Sequence, residues 1–244
     1  MHLEMIELMT ELFPSGNLYP YNLPLVRRLA SLTFDAPLTF FVGENGSGKT
    51  TVLEAIAARA GIHIWRYTEG ARFRPNPYEH TLGNYVRLHW RDGRVPGAFF
   101  SSQSHRDFSL LLDEWASSDP GQFDHYGGAS LVTQSHGQSI MSYLRSLYGR
   151  RGLYFADEPE TALSPRRLLE LARLLHESAS KGDAQFIIAT HSPILLAVPG
   201  ALIYSFAGES VEKIAYEDTE HCRIYREFME NPRGCFDPGE GRQR

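Results

Sequence analysis

The 244-residue chain is 42% hydrophobic and 22% charged, an ordinary globular mix with enough apolar material for one large α/β domain or two small ones. Its net charge of −5 means that the surface as a whole does not advertise nucleic-acid binding, although a local basic patch stays open. Cys222 and Cys235 stand outside any metal spacing and cannot form a disulfide framework, which points to a reducing cytosol. Met1-His2-Leu3-Glu4 lacks the pattern of a signal peptide, and no apolar run nears the ~20 residues that span a bilayer, so a membrane role would need another chain.

In chain order, residues 1–37 predict an opening strand or two with turns, including the cluster Pro14-Ser15-Gly16-Asn17. Leu38-Thr39-Phe40-Phe41-Val42 is an apolar strand, and Thr51 to Ala57 begins a helix. Residues 61–100 are mixed, with an alternating strand over Tyr85–Trp90 and a turn at Arg91–Arg94. Ser104–Trp115 predicts a short helix, Ser117–Gln122 a loop, and Tyr126–Ala129 a flexible stretch. Ile140, Met141, Leu144 and Leu147 recur at helical spacing. Leu153–Ala156 reads as a buried strand, and Ser164-Pro165 as a helix N-cap followed by proline at the first helical position. That helix ends near Lys181-Gly182. Gln185–Ala189 is another buried strand, Ala201–Phe206 and Val211–Tyr216 a hairpin around Gly208, and Thr219–Glu230 a last helix. The expected organisation is one domain over residues 1–230, a helical insertion at about 104–150, and a flexible tail over 231–244.

Between the strand at 38–42 and the helix at 51 lies Gly43-Glu44-Asn45-Gly46-Ser47-Gly48-Lys49-Thr50, a phosphate-binding loop in its confirming context. Glycines let the backbone curl so that N–H groups point at phosphate oxygens, and the helix start adds its positive dipole end. Asn45, Gly46, Ser47, Gly48, Lys49, Thr50 and Thr51 are the expected nucleotide-binding residues. Lys49 would reach the β- and γ-phosphates and Thr50 a Mg²⁺ ion. Asp157, at the tip of the strand before Glu158, is the expected second metal residue, and Glu158 the water-activating base. His191, in Thr190-His191-Ser192-Pro193, lies just past another buried strand, where a neutral imidazole can bond the γ-phosphate or orient water. Ser135 and Gly137 open a helix and form a candidate anion site. Tyr19 and Tyr21 are candidates for stacking on adenine, with packing the commoner role for each.

The order of these pieces resembles the ATP-binding-cassette (ABC) ATPases, especially soluble ones with SMC-type heads and bacterial AAA-family ATPases. The loop at 43–50 resembles their Walker A, Asp157-Glu158 their Walker B with catalytic glutamate, and Ser135-His136-Gly137-Gln138 a degenerate signature motif. Pro159–Ser164 is similar to the D-loop, His191 to the switch histidine, and Gln103 stands where the family places its Q-loop glutamine. The resemblance covers about residues 35–206 and implies a P-loop α/β fold of ABC type, with a mostly parallel central sheet flanked by helices, an antiparallel N-terminal portion and a small helical insertion. It also implies Gln103 as a nucleotide and metal contact, and a homodimer that sandwiches two Mg·ATP between Ser135 and Gly137 of one copy and the P-loop of the other. Gln134, His136 and Ser164 depart from the family pattern, and the interval from Gln103 to Ser135 is too short for coiled-coil arms.

The expected activity is hydrolysis of ATP by a cytoplasmic ATPase that acts on a partner protein or DNA. The alternative is the nucleotide-binding subunit of an ABC transporter whose membrane part is a separate chain. A small-molecule kinase is disfavoured by Asp157-Glu158, His191 and the signature-like turn. The basic cluster Arg66, Arg72 and Arg74 reads as a solvated loop.

Overall fold

The computed structural model describes residues 1–65, 76–119, 121, 130–133, 135–208 and 210–236, with backbone alone at 103, 104, 106, 107 and 136. In chain order its elements are β1 (Leu3–Leu8), α1 (Pro24–Arg28), β2 (Ser31–Thr33), β3 (Leu38–Val42), α2 (Lys49–Arg59), β4 (Val86–Trp90), β5 (Gly97–Ser101) and α3 (Ser102–Ser118). Then come α4 (His136–Tyr148), β6 (Gly152–Asp157), α5 (Pro165–Ser180), β7 (Ala184–Ala189), α6 (Pro193–Leu196), β8 (Leu202–Ser205), β9 (Glu212–Lys213) and α7 (Glu220–Glu230).

The continuous apolar runs become the interior of a six-stranded sheet in the order β5-β6-β7-β3-β8-β9, parallel except for the short edge strand β9. Successive side chains point to opposite faces and divide the core in two. Phe41, Phe155 and Ile187 face one way, onto α2 and a three-stranded antiparallel sheet of order β2-β1-β4. Phe40, Phe186 and Ile188 face the other way, onto α4, α5 and α6. On α5, Leu168, Leu171 and Leu175 recur every three or four residues and form the buried stripe. Ser164 accepts a bond from the Arg167 N–H and Pro165 follows it, which explains the clean start of that helix.

One buried amide ties the two sheets together. Gln185 Oε1 accepts from the backbone N–H groups of His2 and Leu3 at 2.7 and 2.8 Å, and its Nε2 donates to Leu3 O at 2.8 Å. A polar side chain is tolerated in β7 because its bonds are made by the end of β1.

The α/β expectation holds, including the antiparallel N-terminal portion and the helical segment between β5 and β6. β5 and α1 are additions: Gly97–Ser101 forms the far edge strand beside β6, and Pro24 starts a single turn of helix. Gly97 is required there, since a Cβ would stand 1.9 Å from the Leu153 carbonyl oxygen. The expected flexible stretch at 126–129 and the basic cluster Arg66, Arg72 and Arg74 fall outside the described residues, as do Gln134 and the end of the tail.

Candidate functional site

A single row of residues crosses the sheet at its carboxyl edge. Ser101 pairs with Asp157, Asp157 with Ala189, Ala189 with Phe41, and Phe41 with Tyr204. Four of the chemistry-bearing segments begin within a few residues of this row, because parallel strands end together on one rim. Gln103 follows β5, Glu158 follows β6, His191 follows β7, and the glycine-rich loop follows β3.

The loop reaches α2 through three glycines in left-handed backbone, Gly43, Gly46 and Gly48. Gly43 also permits a close approach, as a Cβ there would meet the Phe206 backbone carbon at 3.0 Å. Lys49 opens α2 but is only 4% exposed. Its Nζ donates to the Gly43 and Glu44 carbonyls at 2.7 and 2.8 Å, which keeps the ammonium inside the curl of the loop. Burial pulls its pKa down, against the attraction of Glu158, Asp157 and Glu160.

Thr50 Oγ1 donates to Asp157 Oδ1 at 3.0 Å, so two of the three expected metal residues meet across 107 positions of sequence. Burial pushes the Asp157 carboxyl up to about 6, with the Thr50 bond opposing. Glu160 is also raised by burial. Three carboxylates therefore surround one ammonium, an imbalance that a divalent cation would relieve. Among the described residues there is no group of three or more His, Cys, Asp or Glu side chains placed to hold a metal. Thr50 and Asp157 would hold Mg²⁺ only together with water and phosphate oxygens, as this donor set fits a nucleotide-borne ion.

Glu158 is the single non-glycine residue with a positive φ, +44°, among the described residues, a conformation that costs roughly 1–3 kcal/mol. The turn aims its side chain at His191, and Glu158 Oε1 lies 3.4 Å from His191 Nε2. Glu158 N donates to Ala189 O at 2.9 Å, which fixes the kink to the end of β7. Past β7, Thr190 is buried and its Oγ1 accepts from Ser192 N at 3.0 Å, while Ser192 caps α6 with Pro193 at its first position. That local architecture holds His191 at the rim. The His191 N–H donates to the Glu160 carboxylate, and its Nδ1 lies 3.1 Å from His221 Nε2 on α7. Burial lowers the pKa of both histidines, and Lys49 lowers both further.

Of the other expected residues, Thr51 Oγ1 lies 3.0 Å from the Tyr19 hydroxyl. Tyr19 is 38% exposed beside the loop, whereas Tyr21 is wholly buried against Phe13, Tyr78 and Tyr85 and cannot stack on a base. Gln103 lies in the first turn of α3, next to Ser102, whose hydroxyl donates to Glu158 O at 3.3 Å; the Gln103 side chain lies outside the description. Ser135 caps α4, with its hydroxyl donating to Gln138 Oε1 at 2.8 Å. At Gly137 a Cβ would lie 3.6 Å from Ala162 O, in the turn that follows Glu158. Asn45, Gly46 and Ser47 line a cavity of about 410 Å³ that reaches Leu23, Gly208 and Glu220. Sequence reasoning missed the side-chain roles of Glu160 and His221: nothing in a helix start such as Thr219-Glu220-His221 separates an inward histidine from a solvated one.

The fold that carries this rim is similar to that of an ABC-type ATP-binding cassette. Two family models match: one described as "AAA domain, putative AbiEii toxin, Type IV TA system" over residues 121–197, and one described as "AAA domain" over residues 21–59. Among solved structures, MJ1267, an ATP-binding cassette of an ABC transporter in its ADP conformation, superposes with a TM-score of 0.54 at 14% identity, covering 93% of this chain and 99% of that one. The SMC head domain from Thermotoga maritima gives 0.48 at 16% identity over 88% and 99% of the two chains. An ATP-binding subunit of an ABC transporter gives 0.49 at 19% over 94% of each. No curated protein matches. Among the described residues, no helix is long and apolar enough to cross a membrane.

Proposed function

We propose that the chain binds Mg·ATP at this rim and hydrolyses it to ADP and phosphate in the cytoplasm. The observation that carries the reading is the convergence of Lys49, the Thr50–Asp157 pair and the Glu158–His191 pair on one sheet edge. The loop N–H groups and Lys49 bind the phosphates, with Asn45 to Thr51 and Gln103 as the nucleotide contacts. Thr50, Asp157 and Gln103 would hold the magnesium ion, which would neutralise phosphate charge. Glu158 accepts the proton of the attacking water, and His191 donates a hydrogen bond to the γ-phosphate or the water.

Ser135 and Gly137 belong to the site of a second copy in this reading. They sit at the start of α4, beside the turn after Glu158, and present N–H groups to the γ-phosphate of a facing subunit. ATP then favours the closed homodimer, and hydrolysis releases it. The Glu158→Gln variant should lose about 10²–10⁴-fold in hydrolysis and accumulate as an ATP-bound dimer on size exclusion with light scattering. A variant that hydrolyses ATP at the wild-type rate would overturn the role of Glu158, and one that stays monomeric with ATP would overturn the sandwich.

The closed dimer would act on a partner protein or on DNA. The second reading is a nucleotide-binding subunit of a transporter, favoured by the match to the transporter cassette MJ1267. Fractionation of tagged protein separates the two: recovery with membranes supports the transporter reading, and DNA-stimulated ATPase in the soluble fraction supports the first.

A further inference from the structure

His221 stands outside every motif, on the first turn of α7, about 30 positions after His191. We infer that His221 is a positioning residue for His191, holding it in the tautomer that carries its proton on Nε2.

The assignment follows from the neighbours of the four ring nitrogens. His191 Nδ1 and His221 Nε2 are 3.1 Å apart, so one is a donor and the other an acceptor. His191 Nε2 is buried, has no hydrogen-bond partner among the described residues, and faces Glu158 Oε1 at 3.4 Å. An N–H suits a position that faces a carboxylate; a bare lone pair there would be repelled. With the proton on His191 Nε2, Nδ1 accepts and His221 Nε2 donates. His221 Nδ1 is then left as a lone pair. It too is buried without a hydrogen-bond partner among the described residues, and an unsatisfied acceptor is better tolerated than an orphaned N–H. The opposite arrangement strands an N–H on His221 and sets a lone pair against Glu158. Burial lowers the pKa of both rings and so favours their neutral forms, in which the pair has one proton to share at its contact.

The consequence for the site is direct. Only an Nε2–H can donate to a γ-phosphate oxygen at the place Glu158 now faces, and the hydrogen bond that His221 donates to Nδ1 keeps the proton there. The role rests on the ATPase reading above for its catalytic meaning, while the tautomer itself does not.

The test uses His221→Phe, which keeps a ring in the packing but removes the donor, and His221→Gln, whose amide N–H can replace it. ¹⁵N chemical shifts of the His191 ring, measured without nucleotide, should report Nε2–H in the wild type and in H221Q, and a tautomer mixture in H221F. ATPase kinetics should show kcat down by at least ~10-fold in H221F with KM nearly unchanged, a loss within about threefold in H221Q, and no further loss when H221F is added to His191→Ala. An unchanged His191 tautomer in H221F overturns the inference, as does additive loss in the double variant. If H221F does not fold, an H221Q enzyme as impaired as His191→Ala overturns it equally. A wild-type protein that hydrolyses no ATP would instead defeat the functional reading and leave the nitrogen shifts to judge the positioning role.

Discussion

Asp157→Asn should make the metal-free, nucleotide-free protein more stable. The Asp157 carboxyl has an ordinary pKa of 3.8, and burial raises it to about 6 in the fold. The folded state thus holds this proton more tightly than the unfolded chain does. Its contribution favours folding below about pH 4 and is lost as the pH rises through about 6. At pH 8 both states are ionised, and the fold carries the whole penalty of a desolvated carboxylate. The difference between 3.8 and about 6, at about 1.36 kcal/mol per pH unit, gives on the order of 3 kcal/mol. Asparagine removes the charge yet can still accept the Thr50 hydroxyl hydrogen bond, now 3.0 Å long. For a chain of this size that corresponds to a melting temperature higher by roughly 6–12 °C at pH 8. The gap should close as the pH falls toward 4. Scanning calorimetry in chelator at several pH values measures it. Added Mg·ATP should raise the wild-type melting temperature and do much less for the variant, so their order should narrow or reverse. A variant that melts at or below the wild type at pH 8 without metal would refute the claim that this carboxylate is held at an energetic cost.

Gly97→Ala should destabilise by more than ~3 kcal/mol or prevent folding, because the new methyl lands 1.9 Å from the backbone of β6; urea denaturation of purified protein, or its loss to inclusion bodies, reads this out. Leu175→Ala removes a wholly buried side chain from the α5 stripe and should cost about 2–5 kcal/mol by the same denaturation assay, with nucleotide affinity unchanged. Lys49→Ala should abolish measurable Mg·ATP binding by calorimetry and also lower the melting temperature of the metal-free protein, because it leaves three carboxylates without the ammonium they attract and two loop carbonyls without their donor.

The central sheet was legible because parallel strands buried on both faces are written as unbroken apolar runs, as in Phe40-Phe41-Val42 and Phe186-Ile187-Ile188. The rim was legible for a related reason: its residues lie immediately after those runs. β5 was hidden by a shorter apolar core, Phe99-Phe100, flanked by a glycine whose need arises only from the neighbouring strand. Tyr21 and Tyr19 look alike in sequence, yet an aromatic cluster closes over one and leaves the other beside Thr51. The partnership of His191 with His221 depends on where α7 packs, a tertiary fact that no local spacing encodes.

The amide of Gln185 has a bearing on biosynthesis. The first strand cannot be seated against β7 until a side chain some 182 residues downstream has left the ribosome. At about 5–20 residues per second that is a wait of roughly 10–40 s. Throughout it β1 can pair with β2 and β4, which emerge far earlier, but its tie to β7 is missing, so the two sheets lock together only after the glycine-rich loop and Asp157 have both been made.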